Sequence, residues 1–376
     1  MTTTHHGRDS AFHSVAPRRL LVAAALMASL TVSGLAAAAG WTAGPAMTNA
    51  SAGAGSVTLA DGRVMLVGGA DAKRSAFAFY TADLYNPTTN VWTQSSYSIA
   101  PHYLPGIALL QNGNVLIAGG LGSSGIQATA EIYAPASNTW TIASPLPQKR
   151  YGLTLTTLQN GHVLAVGGVI TNGTPQATVE RYNPATNTWT LVAPLNIARR
   201  DHAATMLSNG KVLVSGGEGL GMIKVPGAEV YDPATNTWSP AGNLADVRMF
   251  HTATALPNGD VLVVGGLGDN GPTASTERYS AATNSWSSAG TLTSARQQHS
   301  AVAMPSGKVL IAGGFPATTT TTQLYDPVTN TWSIAGNLAQ GRNLAGAGLA
   351  GNGKAVLAGG STSASIRLSS SELYTE

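Results

Sequence analysis

Seven positions at one phase of an internal repeat carry Ser51, His102, Arg150, Arg199, Arg248, Arg296 and Arg342, each ten residues after a tryptophan. Five guanidinium groups set in a ring can grip a carboxylate, a sialic-acid-like sugar or an acidic peptide through forked, charge-assisted hydrogen bonds. A second column stands two residues before each repeat tyrosine: Asp83, Glu131, Glu180, Glu229, Glu277, Gln323 and Glu372. Acid and base columns of nearly equal size can also neutralise each other between strands, which would make the arginines structural. Both readings stand at this stage. The binding reading names His102, Arg150, Arg199, Arg248, Arg296 and Arg342 as site residues at the mouth of a channel.

Three further sets have chemical potential. His202, His251 and His299 recur at one position of consecutive repeats. Three imidazoles can hold zinc or copper, but neighbouring strands can hold the rings too far apart, and packing with hydrogen bonding is the simpler role. No metal and no cofactor is expected. Asp201, His202, Glu218, Asp246 and Arg248 fall on neighbouring repeats and supply acid and base groups of the kind sugar chemistry needs, provided a pair lies within hydrogen-bond reach of a substrate. The stretch after Gly69 is the most aromatic loop, with Asp71, Lys73, Arg74, Phe77, Phe79 and Tyr80. Asp71, Arg74 and Tyr80 are its candidate ligand contacts; covering the rim of the first repeat is the alternative role.

The elements that position these groups repeat. Tryptophans fall at 41, 92, 140, 189, 238, 286 and 332, and a Gly-Gly pair begins 27 residues after each. A tyrosine follows every pair, and six of the seven tyrosines precede a tryptophan by seven residues. Fixed spacings at a period of 46 to 51 residues indicate a propeller. Four strands can be read in residues 199–238: His202–Leu207 (a), Lys211–Ser215 (b), Glu229–Tyr231 (c) and a strand d opening on Thr237-Trp238. Asn209-Gly210 supplies a tight a–b hairpin, and Asp232-Pro233 with Asn236 supplies the c–d turn. The fifth repeat replaces Asp-Pro with Ser280-Ala281, which should loosen one turn. Trp41 has no tyrosine seven residues before it, and Tyr374 has no tryptophan after it. The two halves complete one blade, with 40–47 as its outer strand.

Gly-Gly, Tyr-x-Pro and Trp in register, as in VLVSGG…EVYDPATNTW, resemble the kelch repeat over residues 40–376. The resemblance implies an all-β, seven-bladed β-propeller whose ring is closed by the N-terminal outer strand. It also brings in galactose oxidase, which shares the kelch propeller and whose copper-radical site needs a Tyr–Cys crosslink. The chain has no cysteine, so that chemistry cannot be built here. Periplasmic kelch sialic-acid epimerases stay open, because they need acid/base groups and a carboxylate-binding arginine.

In a blade the d–a and b–c connections share one face. The a–b and c–d turns are short and uniform, so length variation concentrates in the b–c loops, the usual seat of recognition on a rigid scaffold. Residues 1–39 read as a secretory signal peptide: Arg18-Arg19, the apolar Leu20–Leu35, then small residues suited to cleavage. The paired arginines resemble a twin-arginine export signal; Sec export is the other route. Without Arg8, Arg18, Arg19 and Asp9, 17 cations and 16 anions remain, and no basic run supports nucleic-acid binding. The expected protein is an exported monomer with no membrane span after cleavage. It binds a glycan or a protein on the b–c/d–a face without catalysis; a sugar-active enzyme and an adhesion protein are the alternatives. A retained leader would crowd the junction between the last and first blades.

Overall fold

The computed structural model describes residues 39–70, 80, 82–316, 319–363 and 366–376. The leader, apart from Ala39, and the loop residues 71–79, including Asp71 and Arg74, lie outside the described residues. Seven four-stranded antiparallel sheets follow one another along the chain. Blade four shows the plan, with strand a at Ala203–Met206, b at Val212–Ser215, c at Gly227–Asp232 and d at Thr237–Asn243. The ring is closed: strand a of blade one (Gly55–Thr58) packs beside strand a of blade seven (Gly346–Leu349).

Strand b explains the shape. Its sequences, such as VLIA in blade two and VLVV in blade five, are buried at all four positions. A strand covered on both faces reads as a continuous apolar run rather than an alternating one. The covering faces are the neighbouring blades: Leu164 and Val166 of blade three share a cluster with Val212 and Val214 of blade four. The core is thus divided into layers between blades.

The Gly-Gly pair follows strand b because the chain there passes under the next blade. Gly216 and Gly217 have φ of 58° and 95°, and a Cβ on Gly216 would lie 2.4 Å from the Arg248 carbonyl oxygen. No side chain fits there, and the left-handed φ favours glycine independently. The Gly217 N–H donates to that carbonyl at 2.8 Å. The same staple joins every pair of blades, ending with Gly360 N–H to the Ser51 carbonyl at 2.7 Å. At the outer rim each Tyr–Trp pair packs with ring centroids 4.9 to 5.4 Å apart. Trp238 Nε1 reaches back to the Ala193 carbonyl of the preceding blade at 2.8 Å.

The terminal half-motifs meet. Gly40–Ala43 pairs antiparallel with Ser371–Thr375, and Trp41 lies opposite Tyr374. The strand is shorter than the expected 40–47, because Pro45 has no N–H to continue a ladder. The chain still tracks its partner, through Gly44 N–H to Ser371 O at 2.9 Å and Met47 N–H to Ser369 O at 2.7 Å. In blade five the turn survives the loss of Asp-Pro, with Tyr279 donating to Asn284 Oδ1 at 2.8 Å. What it loses is the bond that Asp232 Oδ1 accepts from Ala234 N–H in blade four; Ser280 makes no such bond among the described residues.

Candidate functional site

The arginine column lies inside the blades. Arg150, Arg199, Arg248, Arg296 and Arg342 are at most 1% exposed. Four of them pair with the acid column of their own blade: Arg150 with Glu180, Arg199 with Glu229 at 2.7 Å, Arg248 with Glu277 at 2.6 Å and Arg342 with Glu372 at 2.9 Å. Nη1 of all five donates to the carbonyl of the first glycine of the Gly-Gly pair, as in Arg248 to Gly265 at 2.8 Å. His102 fills the same place, bonded to the Gly119 carbonyl and Glu131, and Ser51 reaches the Gly68 carbonyl. The acids look the other way as well: Glu277 accepts the Ala245 N–H at 2.8 Å and Glu229 accepts the Asn196 N–H at 2.8 Å. The expectation of a cationic ring at the mouth is corrected on this point. The desolvated guanidinium groups point into the blades, and in four of the five seams a carboxylate of the same blade takes the charge that a ligand at the mouth would have met.

Two residues beyond the column, the chain forms a collar. Gly53, Leu104, Gly152, Asp201, Phe250, Gln298 and Leu344 all have φ between 51° and 70°. Six backbone bonds of 3.0 to 3.1 Å link them blade to blade, including Asp201 N–H to Gly152 O, Phe250 N–H to Asp201 O and Gly53 N–H to Leu344 O. The collar surrounds an axial recess of about 330 Å³, to which all seven blades contribute. It lies on the face of the d–a and b–c connections. The two collar glycines make room for it: a Cβ on Gly53 would lie 2.4 Å from the Tyr103 ring, and one on Gly152 would lie 2.9 Å from Asp201 Oδ1.

Tyr103, Tyr151, Arg200, Asp201 and Phe250 line this recess. Arg200 donates to Glu218 Oε1 from Nε at 3.0 Å and from Nη2 at 2.5 Å, and its Nη1 lies 3.7 Å from Asp201 Oδ2. The Tyr151 hydroxyl is 3.5 Å from Arg200 Nη1. Burial pushes the Asp201 carboxyl up to about 6, Arg200 opposing the shift and the Glu218 charge adding to it. Of the acid/base candidates read from sequence, Asp201, His202 and Glu218 converge here. Asp246 is half exposed on a d–a connection, and Arg248 is buried in its seam.

The three histidines are packed. Nε2 of His202 bonds Thr154 Oγ1 at 3.0 Å, that of His251 bonds Ser215 Oγ at 3.1 Å, and that of His299 bonds Thr252 Oγ1 at 2.9 Å. Among the described residues no group of three or more His, Cys, Asp or Glu stands in a metal-binding arrangement. Burial, helped by the neighbouring arginines, lowers His202 and His299 to about 3 and holds His251 well below the ordinary range. The unfolded chain takes up these protons near pH 6.5. Stability from the histidines is therefore present above 6.5 and falls as pH drops toward 3, by about 1.4 kcal/mol per pH unit for each. Asp83 and Asp201, both raised to about 6, act oppositely: their contribution is full below the ordinary carboxylate range and is lost as pH rises through 6. Urea unfolding at pH 7.5 and 5.0 checks the sign. His251→Gln is expected to reduce the loss on acidification by about 2 kcal/mol; an unchanged loss would contradict it.

Tyr80 is 44% exposed on the same face, and its carbonyl accepts from Ser98. The site residues that sequence reading missed are Tyr103, Tyr151, Arg200, Phe250 and Gln298. Their signal was chemical variety: the one or two positions after the column change from repeat to repeat, while the column keeps arginine in five of its seven places.

The description of the KLHDC2/KLHL20/DRC7 Kelch-repeats domain matches residues 152–360. No curated protein sequence matches the chain. Among solved structures, a fungal alcohol oxidase of the AA5 family, in complex with copper, is 20% identical over 89% of this chain and 75% of that one, with a TM-score of 0.69. YjhT is 19% identical over 73% of this chain and 94% of that one, with a TM-score of 0.57. At such identities the likeness concerns the fold. With the Kelch-repeats domain matched over more than half of the sequence and Gly-Gly, Tyr and Trp recurring in all seven blades, the chain belongs to the kelch-repeat family.

Proposed function

We propose that the protein is an exported, non-catalytic propeller that binds a glycan in the axial recess. One observation carries the reading: Tyr103, Tyr151 and Phe250 share a single concavity with Asp201 and the Arg200–Glu218 pair. Aromatic faces stack on the apolar faces of sugar rings, and a few fixed polar groups orient the hydroxyls, the usual division of labour in a small-ligand site. Arg200 is already held between two carboxylates. The corner has no surplus positive charge, so a neutral glycan fits it better than an acidic sugar. Export rests on the leader, with Arg18-Arg19, the apolar Leu20–Leu35 and the small residues after it.

Glycan-array screening with neutral and acidic oligosaccharides tests the reading. Binding to neutral glycans is expected, with affinity at least about tenfold lower in Tyr151→Ala and in Asp201→Asn, the equivalent of about 1.4 kcal/mol. Asp201 enters the collar through its backbone, so the Asn variant keeps those bonds. A folded wild-type protein that binds no glycan would overturn the proposal.

A second reading is favoured by Asp201 itself. A carboxyl near 6, beside a second carboxylate and facing the recess, is suited to giving and taking protons near neutral pH. Sugar-active catalysis at this corner would appear as accelerated anomer exchange of a reducing sugar, lost in Asp201→Asn.

A further inference from the structure

Blade six departs from its neighbours in the column seam. Arg296 is 0% exposed, its Nη1 donates to the Gly313 carbonyl at 3.1 Å and its Nε lies 3.4 Å from the Ser294 carbonyl. Its Nη2 is buried with no partner among the described residues. In the four comparable seams Nη2 meets a carboxylate oxygen of Glu180, Glu229, Glu277 or Glu372. Here that position of the repeat is Gln323, 2% exposed.

An amide cannot replace the carboxylate. A carboxylate has two acceptor oxygens, one for the d–a backbone and one for the arginine; glutamine has one, and its other end only donates. The single oxygen is taken: Gln323 Oε1 accepts both the N–H and the hydroxyl of Thr293, each at 2.9 Å. The backbone demand is met and the arginine is left. Burial lowers Arg296 to about 10, so the group is still a cation at neutral pH. A buried, unpaired cation is a strongly unfavourable arrangement.

We propose that the seam of blade six is a binding site for a small monovalent inorganic anion of halide type, held by Arg296 Nη2 and taking the charge role that a glutamate plays in the other four seams. The anion supplies the charge that Gln323 lacks and completes the seam. The site is separate from the axial recess and does not depend on the glycan reading.

Thermal unfolding of the full chain in sodium chloride and in sodium gluconate, at constant ionic strength, tests this. Chloride is expected to raise the midpoint saturably, by about 2 °C or more, since a ligand bound only by the folded state stabilises it by mass action. Gln323→Glu is expected to raise the midpoint in gluconate and to abolish the chloride response. In crystals soaked with bromide, an anomalous peak is expected within hydrogen-bond reach of Arg296 Nη2. Equal wild-type midpoints in the two salts would overturn the proposal. So would a full chloride response in Gln323→Glu, which would place the effect elsewhere.

Discussion

Arg248→Ala is expected to destabilise the propeller by about 3–5 kcal/mol, the loss that follows when one partner of a buried ion pair is removed. The side chain binds at several points. Nη1 donates to the Gly265 and Ser275 carbonyls, Nη2 to Ser275 Oγ and Glu277, and Nε to the Asp246 carbonyl. Its own carbonyl receives the Gly217 N–H of the preceding blade. Truncation leaves Glu277 buried without a cation and the Gly265 and Ser275 carbonyls without their side-chain donor, while the backbone bond from Gly217 survives. Replacing both charges, as in Arg248→Met with Glu277→Leu, should cost less, because no orphan charge remains. Urea unfolding measures both. A loss under about 1 kcal/mol in Arg248→Ala would mean that the column is not structural, against what a buried pair should do.

Deleting residues 40–47 is expected to have the larger effect. Blade seven would lose its outer strand, exposing the edge of Ser371–Thr375 to pairing with other chains. The deletion also removes the contact between Trp41 Nε1 and Thr322 Oγ1 of blade six at 2.8 Å, and Met47, which is 4% exposed. The product should melt far below the parent and elute as aggregates. Trp41→Ala isolates the aromatic share. Trp41 is only partly buried, so about 3 kcal/mol, the low end for large aromatics, is the expected cost. A deletion variant that stayed monomeric and melted with the parent would refute closure by this strand.

The fold was legible because each repeat signal has one physical cause repeated seven times. Gly-Gly marks a close approach, the b run marks burial on both faces, and Trp41 and Tyr374 announced a shared blade by lacking partners. The site was less legible for the same reason. The most regular feature, the arginine column, drew attention as a binding ring; its regularity came from pairing with the acids two residues before each tyrosine. Recognition residues vary between blades, so no repeat count points to Tyr151 or Arg200. That Asp201 adopts φ of 52° and turns its carboxyl over Gly152 depends on the collar, which exists only once the ring has closed.

The division of labour is that the column holds the blades together and the recess recognises the ligand. A crystal structure of the protein with a neutral oligosaccharide selected on the array tests it most directly. The account predicts a sugar ring against Tyr103 or Tyr151, hydroxyls within hydrogen-bond reach of Asp201, and the Arg248–Glu277 contact unchanged. A sugar seated on the opposite face, or one that separates an arginine of the column from its glutamate, would contradict it.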